Sequence, residues 1–193
     1  MRKVIVFMNI TLDGVMQAPA RPDEDTRGGF QHGGWGVPYR AMELVGGALP
    51  ETGPLLLGRR TYEDFYAVWP NRPDNPYTER LNQAQKYVAS NTLQEPLPWM
   101  NSTLLKGNAA EAIKQLKAQP GKNFLVMGSG DLIQTLRRNS LVDLYVLLIH
   151  PLILNSGRRL FPEGGVEEKL RLVEARTAPN GVVIASYQPE WVE

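Results

Sequence analysis

Phe124-Leu125-Val126-Met127-Gly128-Ser129-Gly130-Asp131-Leu132-Ile133 is the stretch on which the fold turns. Four consecutive apolar residues, two of them aromatic or β-branched, read as a strand buried on both faces. The glycines that follow permit a tight turn, and Leu132, Ile133 and Leu136 then recur at helical spacing. A strand, a glycine turn and a helix in that order form the unit of an α/β sheet, whose ligands gather at the carboxyl ends of its strands.

Outward from this stretch, the same alternation recurs. Val4 to Ile10 reads as a first buried strand, Leu55-Leu56-Leu57 as a second and Tyr87-Val88-Ala89 as a third. Helices are expected from Pro38 to about Leu49, from Thr61 to Trp69, from Thr78 to Gln85 and after the capping residue Asn108. From Leu144 the pattern changes to strands alone: Tyr145 to Ile149, Leu152-Ile153-Leu154, and Leu170 to Ala175 with Val182 to Tyr187 around the turn Pro179-Asn180-Gly181. The expected architecture is one α/β domain over residues 1–193, a three-layer α/β/α arrangement. Its mixed, mostly parallel sheet ends in an antiparallel C-terminal hairpin.

Composition narrows the chemistry. The 193 residues are 42% hydrophobic and 21% charged, with 21 Lys+Arg against 20 Asp+Glu. A net charge of +1 gives no electrostatic reason to expect nucleic acid or an acidic membrane. Without cysteine there is no thiolate nucleophile, thiolate zinc site or iron–sulfur cluster, and two histidines make a His-rich metal site unexpected. The first apolar run is too short to span a bilayer and lacks a signal-peptide pattern, so the expected location is cytoplasmic.

Two turns favour anions. At Leu57-Gly58-Arg59-Arg60-Thr61-Tyr62-Glu63 two guanidiniums and a hydroxyl stand where a strand enters a helix, and arginine's planar fork suits phosphate. The alternative there is a helix capped by Thr61, with the arginines solvated or paired to Glu63 and Asp64. Gly128-Ser129-Gly130 is the other turn; it is either a phosphate cradle or a plain tight turn. Ser90-Asn91-Thr92 closes the next strand with three short polar side chains. Neighbouring strand ends of this kind make two or three adjacent phosphate sites, the footprint of an extended dinucleotide.

These residues, with the opening Asn9-Ile10-Thr11-Leu12-Asp13-Gly14 and the late segment from Leu141 to Pro162, resemble the dihydrofolate reductase superfamily. Within it they are most similar to the C-terminal reductase domain of the riboflavin-biosynthesis deaminase–reductase and its stand-alone relatives. The resemblance implies an NADPH-dependent reductase acting on a small heterocycle, the family default being reduction of 5-amino-6-(5-phosphoribosylamino)uracil. Carried over, Gly58, Arg59, Arg60 and Thr61 hold phosphates, and Ser90 and Asn91 lie at the adenosine ribose. Gly128, Ser129 and Gly130 pass under the pyrophosphate, with Asp131 and Leu132 opening the helix. Thr11 and Asp13 lie where nicotinamide meets substrate. The relatives also imply a homodimer.

Trp35-Gly36-Val37-Pro38-Tyr39-Arg40 departs from the dihydrofolate reductase pattern. Arg40 stands where those enzymes carry the carboxylate that anchors the pterin, and a cation cannot accept its N–H bonds. Glu43, one turn further on, is the candidate replacement. Folate reduction is therefore the alternative activity, and a nucleotide-binding module without catalysis the alternative class. Asp13 is read either as a catalytic carboxylate or as the turn residue that Asp-Gly commonly supplies. His32 and Trp35, in a glycine-rich loop, are candidate substrate contacts. His150 reads as a satisfied core or interface histidine.

Overall fold

The computed structural model describes residues 1–39, 52–72 and 75–190. It contains eight strands: β1 (Val4–Thr11), β2 (Thr52–Gly58), β3 (Lys86–Ala89), β4 (Ser102–Leu105), β5 (Asn123–Met127), β6 (Leu144–His150), β7 (Lys169–Thr177) and β8 (Val183–Glu190). The described helices are α1 (Arg59–Val68), α2 (Pro76–Gln83), α3 (Ala109–Ala118) and α4 (Gly130–Arg138). The strands are hydrogen-bonded in the order β4-β3-β2-β5-β1-β6-β8-β7, a mixed sheet. β2–β3, β2–β5 and β3–β4 are parallel; β6–β8 and β7–β8 are antiparallel. No helix among the described residues is long and apolar enough to cross a membrane.

The chain forms two compact units, Met1–Ile5 with Glu51–Val142, and Val6–Pro50 with Asp143–Glu193. In the first, Leu55, Leu56, Leu57, Val88, Phe124 and Val126 are buried strand residues, and Ile113, Leu132, Ile133 and Leu136 bury the apolar sides of α3 and α4. Asn108 caps α3 as its sequence predicts, its carboxamide oxygen accepting from the N–H groups of Ala110 and Glu111. Lys86 is wholly buried here. Its ammonium donates to the carbonyls of Leu81, Asn82 and Ala84 at 2.7, 3.1 and 2.6 Å and lies 4.4 Å from the Trp99 ring. It thereby satisfies the open carbonyls at the end of α2.

In the second unit, Phe7, Val15, Phe30, Trp35, Tyr145, Leu148, Leu160 and Ile184 are buried. β7 and β8 pair around the expected turn, where Gly181 adopts φ 85° and the Ala178 N–H donates to the Val182 carbonyl.

Several boundaries differ from the sequence expectation. α1 begins at Arg59 rather than Thr61, because Gly58 ends β2 and serves as the N-cap without a side-chain bond. α2 runs Pro76–Gln83, two residues earlier than expected, since Asn75 caps it and proline suits its first turn. Leu152-Ile153-Leu154 is not a strand. Pro151 interrupts the ladder, and Leu152 and Leu154 are apolar because they pack on Val15, Ala18, Phe30 and Trp35. β4 was not foreseen. The helix expected over 38–49 shows a 3₁₀ turn at Val37–Tyr39 and otherwise lies outside the described residues, as do Arg40 and Glu43.

Candidate functional site

In the first unit, parallel pairing aligns three strand ends. Gly58 is opposite Ala89, and Leu56 is opposite Val126. β3, β2 and β5 therefore deliver Ser90-Asn91, Gly58-Arg59-Arg60-Thr61 and Gly128-Ser129-Gly130 side by side. α1 and α4 start at two of these ends, so their first-turn N–H groups and positive dipole ends gather there.

The two turns are bolted to each other. The Gly58 N–H donates to Ser129 Oγ at 2.9 Å, and the Ser129 N–H donates to Thr61 Oγ1 at 2.9 Å. Thr61 therefore does not cap α1; from the first turn of that helix it accepts from the other turn. Gly128 has φ 59°, and a β-carbon there would lie 3.0 Å from Thr61 Cγ2, so a side chain there would be both strained and crowded. Ser129 is itself left-handed, with φ 61°.

The cations at this edge are paired, though loosely. Arg59 meets Glu63 at 2.9 Å and Arg60 meets Asp131 at 3.7 Å. The second pair is more than half exposed on both sides and is worth little in water, so another anion can replace Asp131. Ser90 Oγ accepts from the N–H groups of Thr92 and Leu93, and Asn91 Oδ1 accepts from Gly107 N–H at 2.6 Å. Both side chains spend these acceptors shaping their own loop. Leu132 is buried beneath α4.

In the second unit, β1 ends at Thr11, whose buried hydroxyl donates to Asp13 Oδ1 at 2.6 Å and accepts from Val15 N–H at 2.9 Å. Asp13 also accepts from Leu154 N–H at 3.2 Å and Asn155 N–H at 2.9 Å, while Arg159 Nε donates to its carbonyl at 2.9 Å. Burial alone would raise the carboxyl, but the Thr11 hydroxyl and the Leu154 and Asn155 amides outweigh it and hold Asp13 below the usual range. Such a group stays ionised, accepts and orients; it does not readily donate a proton.

His32 and Trp35 diverge in environment. His32 is exposed and lines a cavity of about 320 Å³ with Arg27, Phe30, Gln31, Ser156 and Arg158. Trp35 is buried, its indole N–H donating to the Gln17 carbonyl at 2.7 Å.

The reading of His150 as a satisfied histidine holds for one nitrogen only. His150 is fully buried, with Nε2 3.0 Å from Asn9 Oδ1 and Nδ1 without a partner among the described residues. The Trp35 and Tyr39 rings lie near-perpendicular to the imidazole, with centroids 5.0 and 5.1 Å away. Burial pushes its pKa down to about 4. Its position before Pro151, at the end of an apolar strand, was the one available signal.

Comparison with known proteins bears on this geometry. A family model described as the RibD C-terminal domain matches residues 2–184. The Bacillus subtilis (strain 168) proteins YyaP and YwjB, both uncharacterized, are 28% identical over 191 residues and 24% identical over 176 residues. These alignments cover 96% of this chain and 94% of YyaP, and 89% of each chain for YwjB. Among solved structures, a Shewanella sp. PV-4 protein provisionally assigned to riboflavin biosynthesis superposes with a TM-score of 0.67 at 22% identity, covering 98% of this chain and 99% of that one. A pyrimidine reductase-like protein of Corynebacterium diphtheriae superposes with a TM-score of 0.64 at 13% identity, covering 99% and 93%. At these identities the structural likeness establishes the fold.

Proposed function

The chain belongs to the RibD C-terminal domain family of reductase-like domains, and on that premise we propose that it is an NADPH-dependent reductase of a small heterocyclic substrate. The observation that carries the reading is the bolted pair of turns at adjacent parallel strand ends. Two helix N-termini and the Arg59 and Arg60 guanidiniums converge there. That donor set suits an extended phosphorylated ligand: amides for the pyrophosphate and an arginine fork for a terminal phosphate monoester.

When bound, the dinucleotide supplies a hydride; the chain supplies position and electrostatics. Gly128 lets the ligand approach the backbone. Ser129 and Thr61 hold the two turns in register, and Arg60 exchanges Asp131 for phosphate. In the second unit Asp13, held ionised, fixes the segment after Pro151 and orients rather than protonates. The family default, a ribosylaminouracil phosphate, is the first substrate to assay.

The test is quenching of intrinsic fluorescence. NADPH is expected to quench and NADH to quench far less. Arg60→Gln is expected to erase most of the preference, since one charged hydrogen bond is worth about 1.5–3 kcal/mol. No quenching by either dinucleotide would overturn the reading. Assembly as a homodimer belongs to the same proposal. β7 is an edge strand with Leu172 and Val173 half exposed, and a monomer mass in sedimentation would remove this element.

A further inference from the structure

We propose that His150 and Asn9 form the hydrogen-bonding floor of a ligand site in the second unit, where a planar N–H-bearing heterocycle takes the place of the Tyr39 ring. The inference rests on the reductase reading for its ligand class and assigns the atom that reads the ligand.

The starting observation is the unmatched Nδ1 of a fully buried imidazole. Folded proteins rarely leave such an atom without a partner, and each exception calls for an explanation, a functional role among them. With Asn9 Oδ1 facing Nε2 at 3.0 Å, the ring proton sits on Nε2 and Nδ1 presents a lone pair. The ring's described partners are the Asn9 carboxamide and the Trp35 and Tyr39 rings. Burial keeps it neutral above about pH 4. A neutral acceptor between aromatic rings favours an N–H donor on a flat ring. It offers nothing to a carboxylate or phosphate, which brings only lone pairs.

The two rings differ in how they are held. Trp35 is fixed by its bond to the Gln17 carbonyl and by packing on Val15, Ala18 and Phe30. The Tyr39 side chain is only half-buried, and its phenol makes no hydrogen bond among the described residues; the tie from Asn180 reaches its backbone carbonyl. Trp35 is thus a permanent wall, and Tyr39 a cover that turns on its own side-chain torsions. Tyr39 now packs near-perpendicular to the imidazole, at 86°, in the space the ligand would take.

The chain has two histidines, so a long-range ¹H–¹⁵N spectrum of the full-length protein resolves them without difficulty. Uracil is the probe, and N,N′-dimethyluracil, which has no N–H donor, the control. Uracil is expected to move the His150 Nδ1 resonance upfield and leave His32 in place, while the control moves neither. Tyr39→Ala is expected to tighten uracil binding about tenfold, and His150→Leu to weaken it about tenfold. Tyr39→Ala removes a side chain without a hydrogen bond and is the variant to rely on if His150→Leu does not fold. The proposal is overturned if saturating uracil leaves His150 unmoved, if the control binds as well, or if Tyr39→Ala has no effect. NADPH quenching measured on the same samples separates the two readings. Intact quenching with an unmoved His150 overturns this inference alone, whereas absent quenching overturns the cofactor assignment.

Discussion

The hydroxyl of Ser129 accepts the Gly58 N–H at 2.9 Å, so one glycine turn is built partly from the side chain of the other. Neither turn holds its shape alone. Ser129→Ala leaves that N–H without an acceptor and is expected to cost about 1–2 kcal/mol in urea unfolding and to weaken NADPH binding. Ser129→Gly loses the same bond but relieves a left-handed backbone, and should recover about 1 kcal/mol of the loss.

Lys86 gives a pH signature in the alkaline range. Burial lowers its pKa from 10.5 to about 8. Between those values the unfolded chain retains a proton that the folded chain has released, so this site's contribution to stability rises with pH across the window. Urea midpoints from pH 7.5 to 10.5 should show the rise in the wild type and not in Lys86→Met. At pH 7 the substitution also strands three carbonyls at the end of α2 and is expected to cost about 2–3 kcal/mol.

His150 adds a signature in acid. Its pKa is about 4 folded against 6.5 in the free side chain. As pH falls from 6.5 toward 4 the unfolded state takes up a proton that the folded state refuses, and stability drops by up to about 3 kcal/mol. Below pH 4 this group takes nothing more. A flatter acid limb for His150→Asn, measured by circular dichroism, is the expected outcome; an unchanged limb would place the acid sensitivity elsewhere.

Asp13 holds the Leu154 and Asn155 amides. Asp13→Ala should speed hydrogen exchange at those two amides about tenfold or more, with little change at β6. If exchange there stays at the wild-type rate, the clasp is not what orders the segment.

How much of this was readable from residue order depends on range. β2 and β5 were legible because both are buried on each face, and the hairpin because Asn180-Gly181 announces it. β4 escaped notice: Ser102-Thr103-Leu104-Leu105 is short and half polar, as befits a strand at the sheet edge. Leu152 to Leu154 misled for the opposite reason, being apolar through packing rather than through pairing. At the site the glycine turns could be found locally. The contact from Ser129 to Thr61 spans 68 positions, and no local pattern encodes it. The unmatched nitrogen of His150 is likewise a property of what folds around it.

The division of the chain sets an order of events during synthesis. The first unit is complete once Val142 has left the ribosome, whereas Val6–Pro50 must wait for Asp143–Glu193 before its own unit can close. For that interval Val15, Phe30 and Trp35 lack Leu152 and Leu154, which complete their cluster. A nascent chain stalled near Val142 is therefore expected to present the first unit already folded and the other half as an open apolar tether, the natural client of a ribosome-associated chaperone.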